Sequence, residues 1–236
     1  TLYLNQTGYT LTAVGHQALY NNSAEGSTAI GGYALYSNTT GTNNVAVGRQ
    51  ALYSNTTASE NTAVGYQAGY SNTTGGSITA TGLKALYSNT SGSYNTATGW
   101  SALYGNTTAS YNTAYGYEAA YTNSTGAYNT AIGMQALRSN TTASYNTAVG
   151  YQSGYANQTG ANNVSVGFQA LQNNTNANNV AIGQAALQAN TSGYDNTAVG
   201  TQALLSNTTA SNNTAVGYQA LYSNTTGVGM TALGYI

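Results

Sequence analysis

The stretch NTAVGYQAGYSNTTG at residues 61–75 recurs almost letter for letter as NTAVGYQALYSNTTG at residues 213–227. The two copies differ only where Leu221 stands in place of Gly69, and related copies fill the chain between them. Self-similarity at a fixed period is the sequence signature of a stacked repeat protein. The fold therefore follows from a single repeat and the way in which its copies stack.

The repeat is marked by a glycine, called the repeat glycine below, that follows a short apolar pair. It recurs at Gly15, Gly31, Gly48, Gly65, Gly82, Gly99, Gly116, Gly133, Gly150, Gly167, Gly183, Gly200, Gly217 and Gly234. The spacing is thus seventeen, except that the steps from Gly15 to Gly31 and from Gly167 to Gly183 are each shorter by one residue. The consensus is N-T-A-V-G-Y-Q-A-L-Y-S-N-T-T-G-S-Y.

This period suits one coil of a β-solenoid. Helical-hairpin repeats need more than ~30 residues. Residue type alternates with a period of two in N-T-A-V-G, which predicts a strand. Ala-Leu-Tyr predicts a second strand, and the residues Ser-Asn-Thr-Thr-Gly are typical of a turn. The sequence therefore predicts an all-β fold, a parallel β-solenoid or β-roll of about fourteen seventeen-residue coils. We expect one repeat domain over residues 1–236, without separate caps or linkers.

Residue type is restricted on both faces of the N-T-A-V-G strand, which favours burial of both faces. One face is expected to line the coil interior, and the other to pack on a second chain through Ala and Gly. By contrast, the residue after the repeat glycine varies widely, as in His16, Trp100 and Phe168. That row is expected to face solvent or a partner.

Three pentapeptides carry a family resemblance: NVAVG at residues 44–48, NVSVG at 163–167 and NVAIG at 179–183. They resemble the N-S-V-A-I-G repeats in the heads of YadA-like trimeric autotransporter adhesins and the N-T-A-V-G repeats of bacterial and phage fibre proteins. The resemblance implies a left-handed β-roll with three chains wound side by side. It also implies an extracellular or cell-surface fibre or adhesin.

The composition argues against several functions. With 3% charged residues, three Lys or Arg and a net charge of −1, the chain has no basic surface for nucleic acid. No apolar run approaches the ~20 residues that span a bilayer. His16 and the carboxylates Glu25, Glu60, Glu118 and Asp195 are scattered, so we expect isolated solvated charges, no catalytic or metal site, no cofactor and no enzyme activity.

Two side-chain rows remain open to more than one interpretation. The S-N-T-T turn carries the N-x-S/T acceptor motif, so its asparagines are either possible glycosylation sites or a structural ladder. They are Asn38, Asn55, Asn72, Asn89, Asn106, Asn123, Asn140, Asn157, Asn190, Asn207 and Asn224. Tyrosines at the fifth position after the repeat glycine are expected to stack, although such rows can also bind sugars.

The two ends of the chain are in phase with the repeat. Gly234, Tyr235 and Ile236 followed by Thr1, Leu2 and Tyr3 give G-Y-I-T-L-Y, against the consensus G-Y-Q-A-L-Y. Counted across this junction, Gly15 follows Gly234 by one full period of the repeat. These six residues are therefore predicted to form a head-to-tail junction between subunits, unless the sequence is a window of whole coils from a longer chain.

The leading hypothesis is a structural subunit of an extracellular fibre or filament. Its partners are further copies of itself, stacked head to tail and associated side by side as a trimer. One alternative is an adhesin or phage tail-fibre segment that binds surface glycans. Another is an ice-binding solenoid whose threonine ladders order water.

Overall fold

The computed structural model describes residues 2, 4–5 and 7–235. Over these residues the secondary structure consists of three-residue strands joined by turns, with no helix, and hence no helix capable of crossing a membrane. The predicted fold class is confirmed: the chain is an all-β parallel β-solenoid of about 13 turns with ~17-residue spacing.

The chain forms two compact units, Thr1–Tyr115 and Gly116–Ile236. The first unit carries β1 (Thr12–Val14), β2 (Thr28–Ile30), β3 (Val45–Val47), β4 (Thr62–Val64), β5 (Thr79–Thr81), β6 (Thr96–Thr98) and β7 (Thr113–Tyr115). The second carries β8 (Thr130–Ile132), β9 (Thr147–Val149), β10 (Val164–Val166), β11 (Val180–Ile182), β12 (Thr197–Val199), β13 (Thr214–Val216) and β14 (Thr231–Leu233). The expectation of a single repeat domain stays a prediction.

Within each unit, neighbouring strands pair in parallel and in register. Ala63 lies opposite Ala80 in the first unit, and Ala198 lies opposite Ala215 in the second. Every repeat position therefore stands beside its own copy in the next coil. Each position becomes a ladder of like side chains, as the fixed period predicts.

The interior of each coil is narrow and is filled by small or medium side chains. The strand alanine and the Ala-Leu pair after the repeat glycine are buried, as in Ala63, Ala51 and Leu52 at 0% exposure. Burying each leucine contributes about 2 kcal/mol. Interior alanine and leucine ladders thus form the core of each unit.

The predicted second strand at Ala-Leu-Tyr is wrong, because this segment forms tight turns. Gln50 and Leu52 have φ angles of 61° and 50°, in the left-handed region. That conformation costs an L-residue about 1–2 kcal/mol. Bonds between coils offset this cost, since Leu52 N–H donates to the Ala68 carbonyl at 3.0 Å.

The expected lining of the lateral contact is also wrong. Ala63 points into its coil, whereas the flanking Val64 is 38% exposed and points outward. The outward face of each unit's sheet is therefore built from Thr and Val or Ile, and not from Ala and Gly. This outward face, called the Thr–Val face below, is open to solvent in the single chain.

Candidate interaction surfaces

The asparagine of the S-N-T-T turn forms an internal ladder. Asn72 Nδ2 donates to Asn55 Oδ1 at 3.0 Å and to the Gly75 carbonyl at 2.8 Å, and Asn89 Nδ2 donates to Asn72 Oδ1 at 2.8 Å. Each amide thus closes its own corner and links to the previous coil. A buried polar group without a hydrogen-bond partner costs free energy. These bonds therefore stabilise both the corner of each coil and its stacking on the previous coil.

This ladder opposes N-glycosylation at the eleven candidate positions. Ten of them are at most 1% exposed, namely Asn38, Asn55, Asn72, Asn89, Asn106, Asn123, Asn140, Asn157, Asn190 and Asn207. Asn224 is half-buried, and its Nδ2 donates to the Gly227 carbonyl at 3.0 Å. A glycan on Nδ2 would have to replace such bonds, so we assign these asparagines to the structural ladder.

A second asparagine row lies just before the strand and interlocks with the first. Asn44 Oδ1 accepts from the Asn61 backbone N–H at 3.0 Å, and Asn44 Nδ2 donates to the Ala58 carbonyl at 2.9 Å. The motif N-T-A-V-G therefore begins with a residue whose side chain links its own coil to the next. This is why asparagine, a poor strand former, precedes most of the strands.

The predicted tyrosine stacking is confirmed in the first unit. Successive rings lie with centroids 5.1–5.3 Å apart along a row made by Tyr20, Tyr36, Tyr53, Tyr70, Tyr87 and Tyr104. Burial, together with the neighbouring tyrosines, raises the pKa of Tyr53 and of Tyr87 above 10.0. The row covers one flank of the unit with stacked apolar rings.

In the second unit this row contains a cation. Arg138 Nε donates to Glu118 Oε2 at 2.7 Å, and its guanidinium carbon lies 5.2 Å from the Tyr121 ring centroid and 5.9 Å from that of Tyr155. Gln135 Nε2 also donates to Glu118 Oε2, at 3.0 Å. The prediction that Glu118 is an isolated solvated charge is therefore wrong.

The environment of Glu118 favours its ionised form. Burial acts to raise the pKa of this carboxyl, but the hydrogen bonds from Arg138 and Gln135 and the positive charge outweigh it. The pKa of Glu118 consequently lies below its ordinary 4.5. The same pairing raises the pKa of Arg138.

The remaining sequence-predicted charges lie in separate coils. His16 packs edge-on against the Tyr33 ring at 5.1 Å, and Glu60 accepts a hydrogen bond from Ser77 at 3.1 Å. The Glu25 carboxylate raises the pKa of the Tyr9 hydroxyl. Among the described residues, no three His, Cys, Asp or Glu side chains lie close enough together to hold a metal ion.

Two outward rows of each unit carry exposed apolar side chains. The residue before the repeat glycine is exposed in Val64 (38%) and Ile132 (39%), and the residue after it in Trp100 (43%) and Phe168 (49%). The Phe168 ring stacks on Tyr151 at 5.2 Å. Large exposed apolar rows of this kind mark interaction surfaces.

The structure describes only half of the predicted junction residues: Thr1, Tyr3 and Ile236 lie outside the described part of the chain. Leu2 N–H donates to the Ala18 carbonyl at 3.1 Å, so Leu2 already belongs to the coil ladder. Tyr235 stacks on Tyr218 at 5.2 Å and is 80% exposed. Gly234 closes β14 and faces open space, with no atom within 4 Å of where a Cβ would lie.

No protein family, curated protein or solved structure matches this chain. The resemblance to YadA-like adhesin heads and fibre repeats therefore stays a prediction.

Proposed function

We propose that the chain is a structural subunit of an extracellular or cell-surface fibre, in which the last coil of one copy stacks on the first coil of the next. The observation that carries this proposal is the exposed stacking surface at Gly234. A Cβ on Gly133 would lie 2.5 Å from the Gly150 carbonyl oxygen, whereas a Cβ on Gly234 would meet nothing within 4 Å. Gly234 presents a surface that the other repeat glycines use to receive a coil.

Backbone donors of the last coil support the same proposal. Leu204 N–H donates to the Ala220 carbonyl at 3.0 Å. Leu221, one coil later, has no following coil among the described residues to receive its bond. In the proposed filament the first coil of the next copy supplies that carbonyl. Exposed sheet edges are templates for pairing with another chain.

We propose further that the filaments associate side by side as trimers through the Thr–Val face. The face is uncharged and bears exposed apolar side chains such as Val64 and Ile132. The resemblance to trimeric adhesin heads points to the same number of chains, and the extracellular location rests on it as well.

The head-to-tail proposal is tested with the 236-residue chain and the variant Gly234→Val. A side chain at Gly234 has room in the single chain but would block the next coil. The φ of 118° at Gly234 strains any residue other than glycine, but this position follows the last strand, so we expect the variant to keep the solenoid and not to form filaments. Circular dichroism reports the fold, and electron microscopy with sedimentation reports the assembly.

The matched control is Gly229→Asn in the same last coil. Gly229 has a φ of 71° and open space around its Cβ position, and Asn212 has a φ of 61° one coil earlier. This variant should still form filaments. Wild-type chains that remain single particles at every concentration, or Gly234→Val filaments like those of the wild type, would refute head-to-tail stacking.

Ice binding is a second candidate, because the Thr–Val face carries threonines in register. Thr62, Thr79 and Thr96 pair in neighbouring strands, and their side chains point outward at one-coil spacing. Such a regular, uncharged row could order water. A thermal-hysteresis measurement decides: activity abolished by Thr79→Lys would support ice binding, and a wild type without hysteresis would exclude it.

A further inference from the structure

The coil between Gly15 and Gly31 is one residue short, and the missing residue lies at a corner. In the next coil two residues, Thr39 and Thr40, separate the ladder asparagine from Gly41, whereas only Ser23 separates Asn22 from Ala24. The corner bond is kept: Asn22 Nδ2 donates to the Ala24 carbonyl at 2.7 Å, as Asn38 Nδ2 does to that of Gly41 at 2.8 Å.

The omission leaves a notch of about 290 Å³ in the first unit. Its lining includes the hydroxyl-bearing residues Thr7, Ser23 and Thr40. It also includes Tyr9, whose side chain is 66% exposed, and the half-buried Glu25, whose carboxylate raises the pKa of the Tyr9 hydroxyl. The notch thus joins an aromatic ring, one carboxylate and several hydroxyls.

The second short coil, between Gly167 and Gly183, carries an asparagine side chain across the same corner. Asn176 stands where the first short coil has Ala24, because its carbonyl accepts from Asn174 Nδ2 at 2.6 Å. The Asn176 side chain donates to the Ser192 carbonyl at 2.8 Å and accepts from the Ala177 N–H at 2.9 Å. The methyl group of Ala24 cannot form such hydrogen bonds across its corner.

We propose that this notch binds one neutral sugar residue of a glycan. The Tyr9 ring offers an apolar surface to the C–H face of a pyranose, and the Glu25 carboxylate accepts hydrogen bonds from adjacent sugar hydroxyls. The threonine and serine hydroxyls of the lining complete the polar contacts. The volume lies near the lower end of ligand pockets, about 300–1,000 Å³, which suits one sugar residue.

The lining disfavours charged ligands. It contains no Lys or Arg that could bind a phosphate or carboxylate, and its single carboxylate is too few for calcium, which takes about 6–8 oxygen ligands. The site lies within the first unit and does not require filament assembly, so it can fail or succeed independently of the proposed function.

The test is saturation-transfer NMR of the chain with a panel of neutral hexoses and N-acetylhexosamines. We expect transfer to at least one sugar and affinity about tenfold weaker for Glu25→Gln, the loss typical of removing a charged hydrogen-bond acceptor. Ala24→Asn should abolish binding by closing the corner. This variant should fold, since Asn176 fills the equivalent place in the second short coil.

The matched control is Glu60→Gln, which removes an exposed carboxylate outside the notch and should bind as the wild type does. No transfer to any sugar in the panel would overturn the proposal. So would binding that Ala24→Asn and Glu25→Gln leave unchanged, because the sugar would then lie elsewhere on the solenoid.

Discussion

Ile78 fills the space that a leucine side chain leaves at Gly69. Gly69 replaces the interior leucine of its coil, and Ile78 replaces the asparagine before the next strand. A Cβ on Gly69 would lie 2.9 Å from Leu52 Cδ2 and 3.7 Å from Ile78 Cδ1. Ile78 is 1% exposed. Two departures from the repeat therefore compensate for each other within one coil.

We expect Gly69→Leu and Ile78→Asn to be destabilising singly and nearly neutral together. The first overpacks the interior at a cost of about 1–3 kcal/mol, and the second leaves a cavity at a cost of about 2–4 kcal/mol. The double variant restores the arrangement of Leu52 and Asn61 one coil earlier. Urea unfolding of all four proteins gives the coupling free energy, and simple additivity of the two effects would contradict the compensation.

Loss of one ladder asparagine should weaken two coils at once. Asn72→Ala removes bonds to Asn55 and Gly75 and leaves Asn89 Nδ2 with the Gly92 carbonyl as its remaining acceptor. We expect a loss of about 2–4 kcal/mol in the free energy of unfolding, from the lost bonds and the unpaired buried groups. Thr74→Ala, at an exposed position in the same turn, is the control and should change stability little. Equal effects would show that the ladder adds nothing.

Acid should weaken the second unit through Glu118. Because folding lowers the pKa of this carboxyl below 4.5, its contribution to stability is present above pH 4.5 and is lost as the pH falls through the folded-state pKa. Glu118→Gln should flatten this part of the pH profile, measured by urea unfolding at each pH. Glu60→Gln changes the same charge at an exposed site, and an identical response in both variants would contradict the assignment.

Alkali should weaken the first unit through its stacked tyrosines. The pKa values of Tyr53 and Tyr87 are raised above 10.0 in the folded chain, so stability is full below pH 10.0 and falls as the pH rises through the folded-state values. Tyr53→Phe with Tyr87→Phe keeps the rings and should reduce this loss. Thermal unfolding against pH measures it; an unchanged alkaline profile would count against burial of these hydroxyls.

The sequence predicts much of the fold because the period itself carries the information. The regular spacing places Ala63 beside Ala80, and the alternation in N-T-A-V-G places a strand there. The turn at Gln50 and Leu52 is not predictable in this way, because left-handed backbone at these residue types is stabilised by bonds between coils and has no local signal. Which face of the strand points into the coil is not predictable either, because residue type is equally restricted on both faces.

Sites formed by departures from the repeat are harder to predict. The position one coil after Glu118 is residue 135, and Arg138 lies three positions further along the chain. This offset between opposite charges is a sequence signal from which their pairing can be inferred. The notch near Ser23 is signalled only by a step that is one residue short. Compensation between Gly69 and Ile78 needs knowledge of which side chains share the coil interior, and periodicity alone does not supply it.

The corners that absorb a missing residue have a consequence for how such a gene can change. Thr12 still pairs with Thr28 across the first short coil, and Val164 with Val180 across the second. Loss of one residue is thus tolerated at a corner, where it reshapes the surface while the sheet stays in register. Gain or loss of whole coils through unequal recombination gives every remaining coil an equivalent neighbour. The length of the solenoid and the shape of its surface can therefore change independently of each other, while the stacking of the coils keeps the interior the same.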